Sequence, residues 1–307
     1  MTLERPMLSL STACLPHLPL VTFLRLATTS GFTGIELVLG PQTWLRPQVW
    51  LRPLPQIERL ARDHGLHIYS VHQALAPFSL LQSGEQRMVA AAQAAVALGC
   101  PVVVIHGPWT SEWATPEGCA WLRALERCRA IVAGSQTRLS LENPGVYSHA
   151  DHDNVLGSLV ALLDLARDHD LDLTLDTCHV GTGTTDLLSA HAILRSRLSN
   201  VHLSDLRDGP GRHSPWTRAV WAHHQLPGAG SLPLDALLQR LRQDSYAGPV
   251  TLEASIFALR GWSLAQARQN LSVAAQSMGA ALSGNLGAEP ASQQPPLPAP
   301  SPGEGAT

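Results

Sequence analysis

The chain has 307 residues, of which 45% are hydrophobic and 15% are charged, and its net charge is -3. This hydrophobic content is enough for a large buried core and argues against global disorder. The sequence pI of about 6.5 argues against a dedicated nucleic-acid binder, because such proteins usually carry a strongly basic surface. All 21 basic residues are arginine, which excludes chemistry based on a lysine Schiff base or a phosphate-loop lysine.

The cysteine pattern indicates a reducing compartment. The five cysteines are odd in number, widely spaced and without a Cys-x-x-Cys pair, as is typical of reduced thiols. The N-terminus shows no basic segment followed by an apolar run, and no apolar stretch reaches the ~18 residues of a membrane helix. We therefore expect a cytoplasmic protein with no membrane partner.

Strand-like and helix-like segments alternate along the whole chain. Eight such repeats predict a (β/α)8 TIM barrel, an α/β fold, as a single domain over residues 1–282. Residues 283–307 are rich in Pro, Gly, Ala and Ser and are predicted to form a disordered tail. Strands are predicted at 7–12, 33–39, 66–72, 101–106, 137–143, 171–176, 200–204 and 248–253, and helices at 20–30, 53–64, 84–98, 116–133, 154–169, 185–197, 234–243 and 264–278.

An open, doubly wound sheet is the alternative architecture. It would require a glycine-rich turn after the first strand, to hold a dinucleotide. The residues at that point are Ser11, Thr12, Ala13 and Cys14, so the barrel is favoured.

Ionisable side chains stand at the carboxyl ends of six predicted strands, and these ends converge on one face of a barrel. Gathering so many charges without a cation would cost several kcal/mol. The mixed oxygen and nitrogen set predicts one divalent ion, Mn, Mg, Co or Zn, and the remaining histidines could bind substrate, shuttle protons or hold a further metal. The predicted metal ligands are Glu142, Asp176, His202 and Glu253, and the remaining histidines are His72, His106 and His179.

Each of these residues also has an ordinary structural interpretation. An acid at a strand end is frequently a helix N-cap or a salt-bridge partner. Glu36, at the end of the second predicted strand, could equally reach the pocket or form such a cap or ion pair. Trp109 and Trp113, in the predicted loop 107–115, could wall a sugar-binding face or only pack the loop.

In this order and spacing, the strand-end motifs resemble those of the xylose isomerase-like TIM barrels, in particular the sugar phosphate isomerase/epimerase group. The resemblance covers residues 7 to about 278. The matching motifs are Gly34-Ile-Glu36-Leu, Val71-His72, Leu141-Glu142-Asn143, Leu175-Asp176-Thr-Cys-His179, Val201-His202-Leu-Ser-Asp205, Leu226-Pro-Gly-Ala-Gly230 and Gly248-Pro-Val-Thr-Leu-Glu253.

The resemblance implies a metal-dependent sugar or sugar-phosphate isomerase or epimerase. In that group Glu142 and Glu253 would be the catalytic acid/base pair, moving a proton through an enediolate, and would hold the metal with Asp176 and His202. His179 would contact the substrate, as would an arginine after the seventh strand, Arg207 or Arg212. The implied partner is a small sugar or sugar phosphate, nucleic acid is disfavoured, and an oligomer is left open.

Type IV apurinic endonucleases share this barrel and are the main alternative. They use three zinc ions, and the ligand pattern matches at His72, His106, Glu142, Asp176, His179, His202 and Glu253. The match breaks after the seventh strand, where Trp221 replaces their aspartate, His223 is the candidate match for their histidine, and Ala229 replaces a glutamate. These departures also keep a third hypothesis open, a non-catalytic barrel that binds a sugar-like ligand.

Overall fold

Eight parallel strands form a closed barrel in the computed structural model, which describes residues 6–40, 53–73, 83–207 and 222–284. Each strand pairs with the next in the chain, and β8 closes the ring against β1. The predicted TIM barrel is therefore confirmed. The strands are β1 (Leu8–Ser11), β2 (Gly34–Val38), β3 (His67–His72), β4 (Val102–His106), β5 (Arg138–Glu142), β6 (Asp172–Asp176), β7 (Leu198–Leu203) and β8 (Val250–Leu252).

Helices surround the barrel and return the chain from the carboxyl end of one strand to the start of the next. Within the described ranges no helix is long and apolar enough to cross a membrane. The helices are α1 (Leu20–Thr29), α2 (Leu54–Asp63), α3 (Gly84–Ala97), α4 (Pro116–Val132), α5 (Leu159–Asp168), α6 (Thr177–Thr182), α7 (Leu187–Leu194), α8 (Leu234–Gln243) and α9 (Leu264–Ser283).

The two faces of the strands differ sharply in polarity. Outward positions such as Leu10, Ile105 and Leu141 are fully buried in the apolar core between barrel and helices. The alternate positions carry buried polar side chains, where TIM barrels usually hold branched apolar residues. These side chains bond to one another: Ser140 Oγ lies 2.6 Å from Thr174 Oγ1. The polar interior leads directly to the ionisable residues at the rim.

Three differences between the predicted and the observed elements are the largest. The residues after β6 form α6 instead of a loop, because Asp176 accepts a hydrogen bond from the backbone N–H of His179 and so caps a helix. The helix predicted over 154–169 begins only at Leu159, after the 3-10 turn His149–Asp153. The last helix extends to Ser283, and the predicted tail from residue 285 onward lies outside the described residues.

A buried aspartate organises the chain between β7 and α8. The Asp205 carboxylate accepts four backbone hydrogen bonds, from the N–H groups of Leu206, Gly228, Gly230 and Leu232, at 2.8–3.0 Å. Its backbone also pairs with Gln225 in an antiparallel bridge. Asp205 thus fixes the returning end of this loop over the barrel mouth. Residues 208–221, including Arg212 and Trp221, are outside the part of the chain that the structure describes.

Candidate metal centre

Four strands bring the predicted metal ligands together at the barrel mouth. Glu142 ends β5, Asp176 ends β6, His202 lies in β7 and Glu253 directly follows β8. One ligand atom from each lies within 4.8 Å of the others. Ligand atoms about 2.2 Å from a common ion are at most about 4.4 Å apart, so only a small inward movement separates this arrangement from a coordination shell.

Asp176 is held in place by its neighbours and retains one unused oxygen. Its backbone N–H donates to Asn143 Oδ1 at 2.8 Å, and Asn143 Nδ2 donates to its carbonyl at 3.2 Å. Its Oδ1 accepts from the N–H of His179 at 2.9 Å. Its Oδ2 is buried and has no hydrogen-bond partner among the described residues. Such an orphaned carboxylate oxygen costs free energy unless a ligand satisfies it, so the site fits a cation.

A third carboxylate, that of Glu36, contacts the His202 ring from inside the barrel. His202 Nδ1 lies 3.3 Å from Glu142 Oε1 and 3.1 Å from Glu253 Oε2, while its Nε2 lies 2.9 Å from Glu36 Oε2. Glu36 is fully buried inside the barrel and also accepts from Ser70 Oγ at 2.9 Å. The sequence left Glu36 undecided between a cap, an ion pair and the pocket. The structure places it against a predicted ligand.

Two further histidines approach Glu142 from the β3–β4 side. His72 Nε2 and His106 Nε2 lie 3.2 Å and 2.9 Å from Glu142 Oε2, and 3.1 Å from each other. His72 Nδ1 faces the carbonyl oxygen of Gln73 at 2.7 Å, so Nε2 is left to face the site. These three residues form a second potential ligand group.

A third group consists of Asp176, His179 and His224. His179 Nδ1 lies 3.3 Å from Glu142 Oε1 and 3.6 Å from Asp176 Oδ2. The histidine that joins them is His224, not His223, which the resemblance had suggested. His224 has a φ of 47°, a costly conformation for a non-glycine residue that is often found at functional sites. The sequence alone cannot tell which of the two adjacent histidines faces the site. Their side-chain directions depend on a backbone turn that is set by contacts with residues distant in the chain.

Burial opposes ionisation of the carboxylates, and the facing imidazoles decide the outcome. Burial raises the pKa of Glu142, but His202 and His106 outweigh it and hold this pKa well below its ordinary value. Glu253 behaves in the same way through its contact with His202, so its pKa is also lowered. Asp176 differs, since burial dominates and raises its pKa.

The imidazoles supply the compensating positive charge. Burial lowers the pKa of His202, but Glu36, Glu253 and Glu142 outweigh it and raise this pKa well above its ordinary value. His179 follows the same logic, with Asp176 and Glu142 raising its pKa to about 10. The clustered carboxylates are therefore stabilised by positive charge, which protonated imidazoles or a divalent ion can supply.

A cavity of about 590 Å³ opens beside this cluster. His106, Glu142 and His179 line its inner end. Arg207, predicted to contact substrate, is not among its lining residues. The Arg207 side chain is exposed, and its Nε donates to the carbonyl of Ala229 at 3.3 Å.

Several functional candidates escaped the sequence reasoning. Gln73 and Tyr147 line the cavity, but a lone glutamine after a strand and a loop tyrosine carry no motif. Glu36, in contrast, was a candidate from the sequence, but its role stayed open because the strand face that points into the barrel could not be assigned before the interior was known to be polar.

The comparisons with known proteins identify relatives of this barrel. A family model described as xylose isomerase-like TIM barrel matches residues 24–276. An uncharacterised protein of Mycobacterium leprae (strain TN) is 24% identical over 271 residues, which cover 82% of this chain and 89% of that protein.

Two solved structures illustrate the shared fold. The apo form of 3-keto-D-glucoside 4-epimerase from E. coli has a TM-score of 0.63 at 18% identity, covering 89% of this chain and 100% of that chain. The D-allulose 3-epimerase from Methylomonas sp., in complex with D-allulose, has a TM-score of 0.62 at 17% identity, covering 89% and 95%. At this identity the likeness establishes the fold alone.

Proposed function

The chain belongs to the xylose isomerase-like TIM barrel family, and on this basis we propose that it is a divalent-metal-dependent isomerase or epimerase of a sugar-like ketone. The observation that carries the proposal is the convergence of Glu142, Asp176, His202 and Glu253, with a buried Asp176 Oδ2 that has no hydrogen-bond partner among the described residues. The two similar structures, each an epimerase by its name, support the reaction class.

Glu142 and Glu253 are the proposed acid and base. Both lie against the same nitrogen of His202, at 3.3 Å and 3.1 Å, and they come from strands on different sides of the mouth. Substrate between them would present opposite faces to the two carboxylates. One removes the proton beside the carbonyl, and the other, which must enter the reaction protonated, returns a proton to the opposite face of the resulting enediolate. A bound divalent ion, Mn, Mg, Co or Zn, would polarise the carbonyl and stabilise the developing charge.

The surrounding residues position these groups. Asn143 fixes the backbone of Asp176, and Glu36 fixes the ring of His202. His179 projects between Glu142 and the cavity, where it can donate a hydrogen bond to a substrate oxygen. His72 and His106 hold Glu142 Oε2, which leaves Oε1 to face His202 and His179.

Solvent hydrogen exchange tests this proposal. Chelator-treated protein, restored with each of the four ions in D2O, is incubated with ketopentoses, ketohexoses, their phosphates and keto-glycosides, and the protons are followed by NMR. We expect metal-dependent deuterium incorporation beside the carbonyl of at least one compound. Glu142→Gln and Glu253→Gln should each slow it about 10²–10⁴-fold, while Glu58→Gln, on the surface of α2, should not. Absence of exchange across the panel, or full exchange in both site variants, would refute the proposal.

One observation favours a second candidate, a zinc-dependent endonuclease at abasic DNA. The central ligand group shares Glu142 with one neighbouring group and Asp176 with the other, an arrangement suited to more than one ion. Against it stands the low basic content of the chain, since phosphate contacts supply most DNA affinity. Incision of a duplex with a single abasic site, in the presence of zinc, would establish this activity, and an intact duplex would exclude it.

A further inference from the structure

The cavity beside the metal centre extends well past the reacting groups. Its lining includes His106, Glu142 and His179 of the cluster and also Met88 of α3 and Trp121 of α4. Its volume of about 590 Å³ lies within the range of roughly 300–1,000 Å³ found for drug-sized ligands. A single sugar ring at the metal centre would leave much of this space open.

The walls beyond the reacting groups are mainly apolar and are held rigidly. Trp121 is 8% exposed, and its Nε1 donates to the carbonyl of His106 at 2.7 Å. Leu156 is buried and packs over Gly107, where any added Cβ would collide with it. Trp109, in contrast, is 59% exposed at the cavity wall. A large indole left in water beside a preformed apolar cleft indicates a binding surface.

A buried polar atom lies in the inner part of the wall. Gln73 is 7% exposed, and its backbone is satisfied by Val104 and His72. Its side-chain Oε1 is buried and has no hydrogen-bond partner in the described part of the chain. An unpaired buried acceptor costs about 1–3 kcal/mol, and a ligand hydroxyl in the cavity would remove this cost. Gln73 follows β3, so this acceptor belongs to the end nearest the metal centre.

The charges at the outer end do not suit a phosphate. Arg87, Glu85 and Glu117 line the cavity, and Arg123 lies 3.7 Å from Glu85, so two guanidiniums are balanced by two carboxylates. A phosphate monoester carries about -1.5 to -2 charges at neutral pH and would find no net positive charge there to offset it. A neutral group is the better occupant.

We propose that this site takes a keto sugar carrying a flat, uncharged apolar group, such as an aryl glycoside with a ring carbonyl. The sugar ring lies at the metal centre with a hydroxyl donating to Gln73 Oε1. The apolar group extends along Trp109 and Trp121. This inference rests on the proposed function for the reaction at the sugar, but its binding prediction does not require turnover.

The test compares two probes that differ only in the appended group, phenyl and methyl β-D-glucopyranoside, with the full chain loaded with Mg²⁺. Binding is measured by isothermal titration calorimetry. We expect the phenyl glycoside to bind at least about ten-fold more tightly. Trp109→Ala should remove most of this preference and leave the methyl glycoside unaffected, and Trp109→Phe should retain part of it. Gln73→Leu should weaken both probes alike, because it contacts the shared sugar.

Trp262→Ala is the matched control. Trp262 is 69% exposed in the segment after β8 and is absent from the cavity lining, so its loss should alter neither affinity. Equal affinity for the two probes, or a phenyl preference that survives Trp109→Ala, overturns the inference. Metal-dependent exchange on free ketoses with no phenyl preference would defeat this inference alone. A phenyl preference with no exchange on any ketone would defeat the proposed function alone.

Discussion

Asp176 divides its two carboxylate oxygens between two tasks. Oδ1 caps α6 through the N–H of His179, and Oδ2 faces the candidate metal centre without a hydrogen-bond partner among the described residues. The sequence offered N-cap and metal ligand as competing interpretations, but the geometry makes them compatible. The N-cap hydrogen bond fixes the carboxylate through one oxygen and leaves the second available. The cap therefore orients Asp176 as a predicted metal ligand.

Glu36 performs a similar orienting task for His202. A metal-binding histidine commonly donates its other N–H to a carboxylate, which fixes the ring and strengthens the ligand. Glu36 Oε2 lies 2.9 Å from His202 Nε2, in a position with no solvent exposure. Nδ1 is thereby left to face Glu142 and Glu253.

Glu36→Gln should therefore weaken divalent-metal binding. We expect a loss of about 10–100-fold in Mn²⁺ affinity, measured by calorimetric titration of chelator-treated protein. Ser70→Ala removes only the hydrogen bond from Ser70 to Glu36 and should have a much smaller effect. An unchanged Mn²⁺ dissociation constant in Glu36→Gln would show that metal binding does not require the Glu36 carboxylate to hold the His202 ring.

At the level of elements, the strands and most helices were predictable, and the links between them were not. Alternation of strand-like and helix-like segments placed α8 at its observed limits and all eight strands within a few residues. The start of α5 was missed because the 3-10 turn before it is held by Asp151, which accepts hydrogen bonds from the backbone of Tyr147 and Ser148. Such contacts depend on backbone geometry that periodicity does not encode.

The loop between β7 and α8 should depend on Asp205. Asp205→Ala removes an acceptor of four backbone N–H groups, and bonds to a charged group contribute about 1.5–3 kcal/mol each. Since the loop can partly rearrange, we expect the free energy of unfolding to fall by about 3 kcal/mol in urea titrations. Asp164→Ala, a surface substitution on α5, should cost less than about 1 kcal/mol. A loss for Asp205→Ala no larger than this control would contradict the role assigned to the carboxylate.

His191 links the stability of α7 to pH. Burial lowers its pKa, Asp244 opposes this, and Arg240 and Arg195 add to it. Because the folded-state pKa is depressed, the unfolded chain binds the proton more readily. The contribution of His191 is therefore complete above the unfolded pKa of about 6.5 and is lost as pH falls through the lower, folded value.

His191→Gln removes this linkage. The variant should lose less unfolding free energy than the native protein when pH falls from 7.5 to 5, as measured by urea denaturation at both values. His67→Gln, an exposed histidine at the start of β3, provides the comparison and should follow the native protein. An acid-side loss in His191→Gln as large as the native one would rule out the assignment.

For the whole molecule, the barrel separates stability from chemistry. The apolar core lies between strands and helices, whereas the barrel interior is polar and leads upward to the ionisable rim. Strand-end motifs were sufficient to predict which ligands converge, because parallel strands in a barrel share one carboxyl face. They were insufficient to predict Gln73, Leu156 or His224, whose positions depend on how the connecting loops pack. The proposed substrate class therefore rests on the cavity and not on the strand-end motifs.

Anomalous X-ray scattering from crystals grown with Mn²⁺ tests the central claim most directly. The account predicts a peak within about 2.0–2.4 Å of side-chain atoms from Glu142, Asp176, His202 and Glu253. In the Asp176→Asn variant this peak should be weak or absent. Peaks in all three ligand groups would favour the nuclease candidate, and no peak among these four residues with Mn²⁺, Co²⁺ or Zn²⁺ would contradict the account.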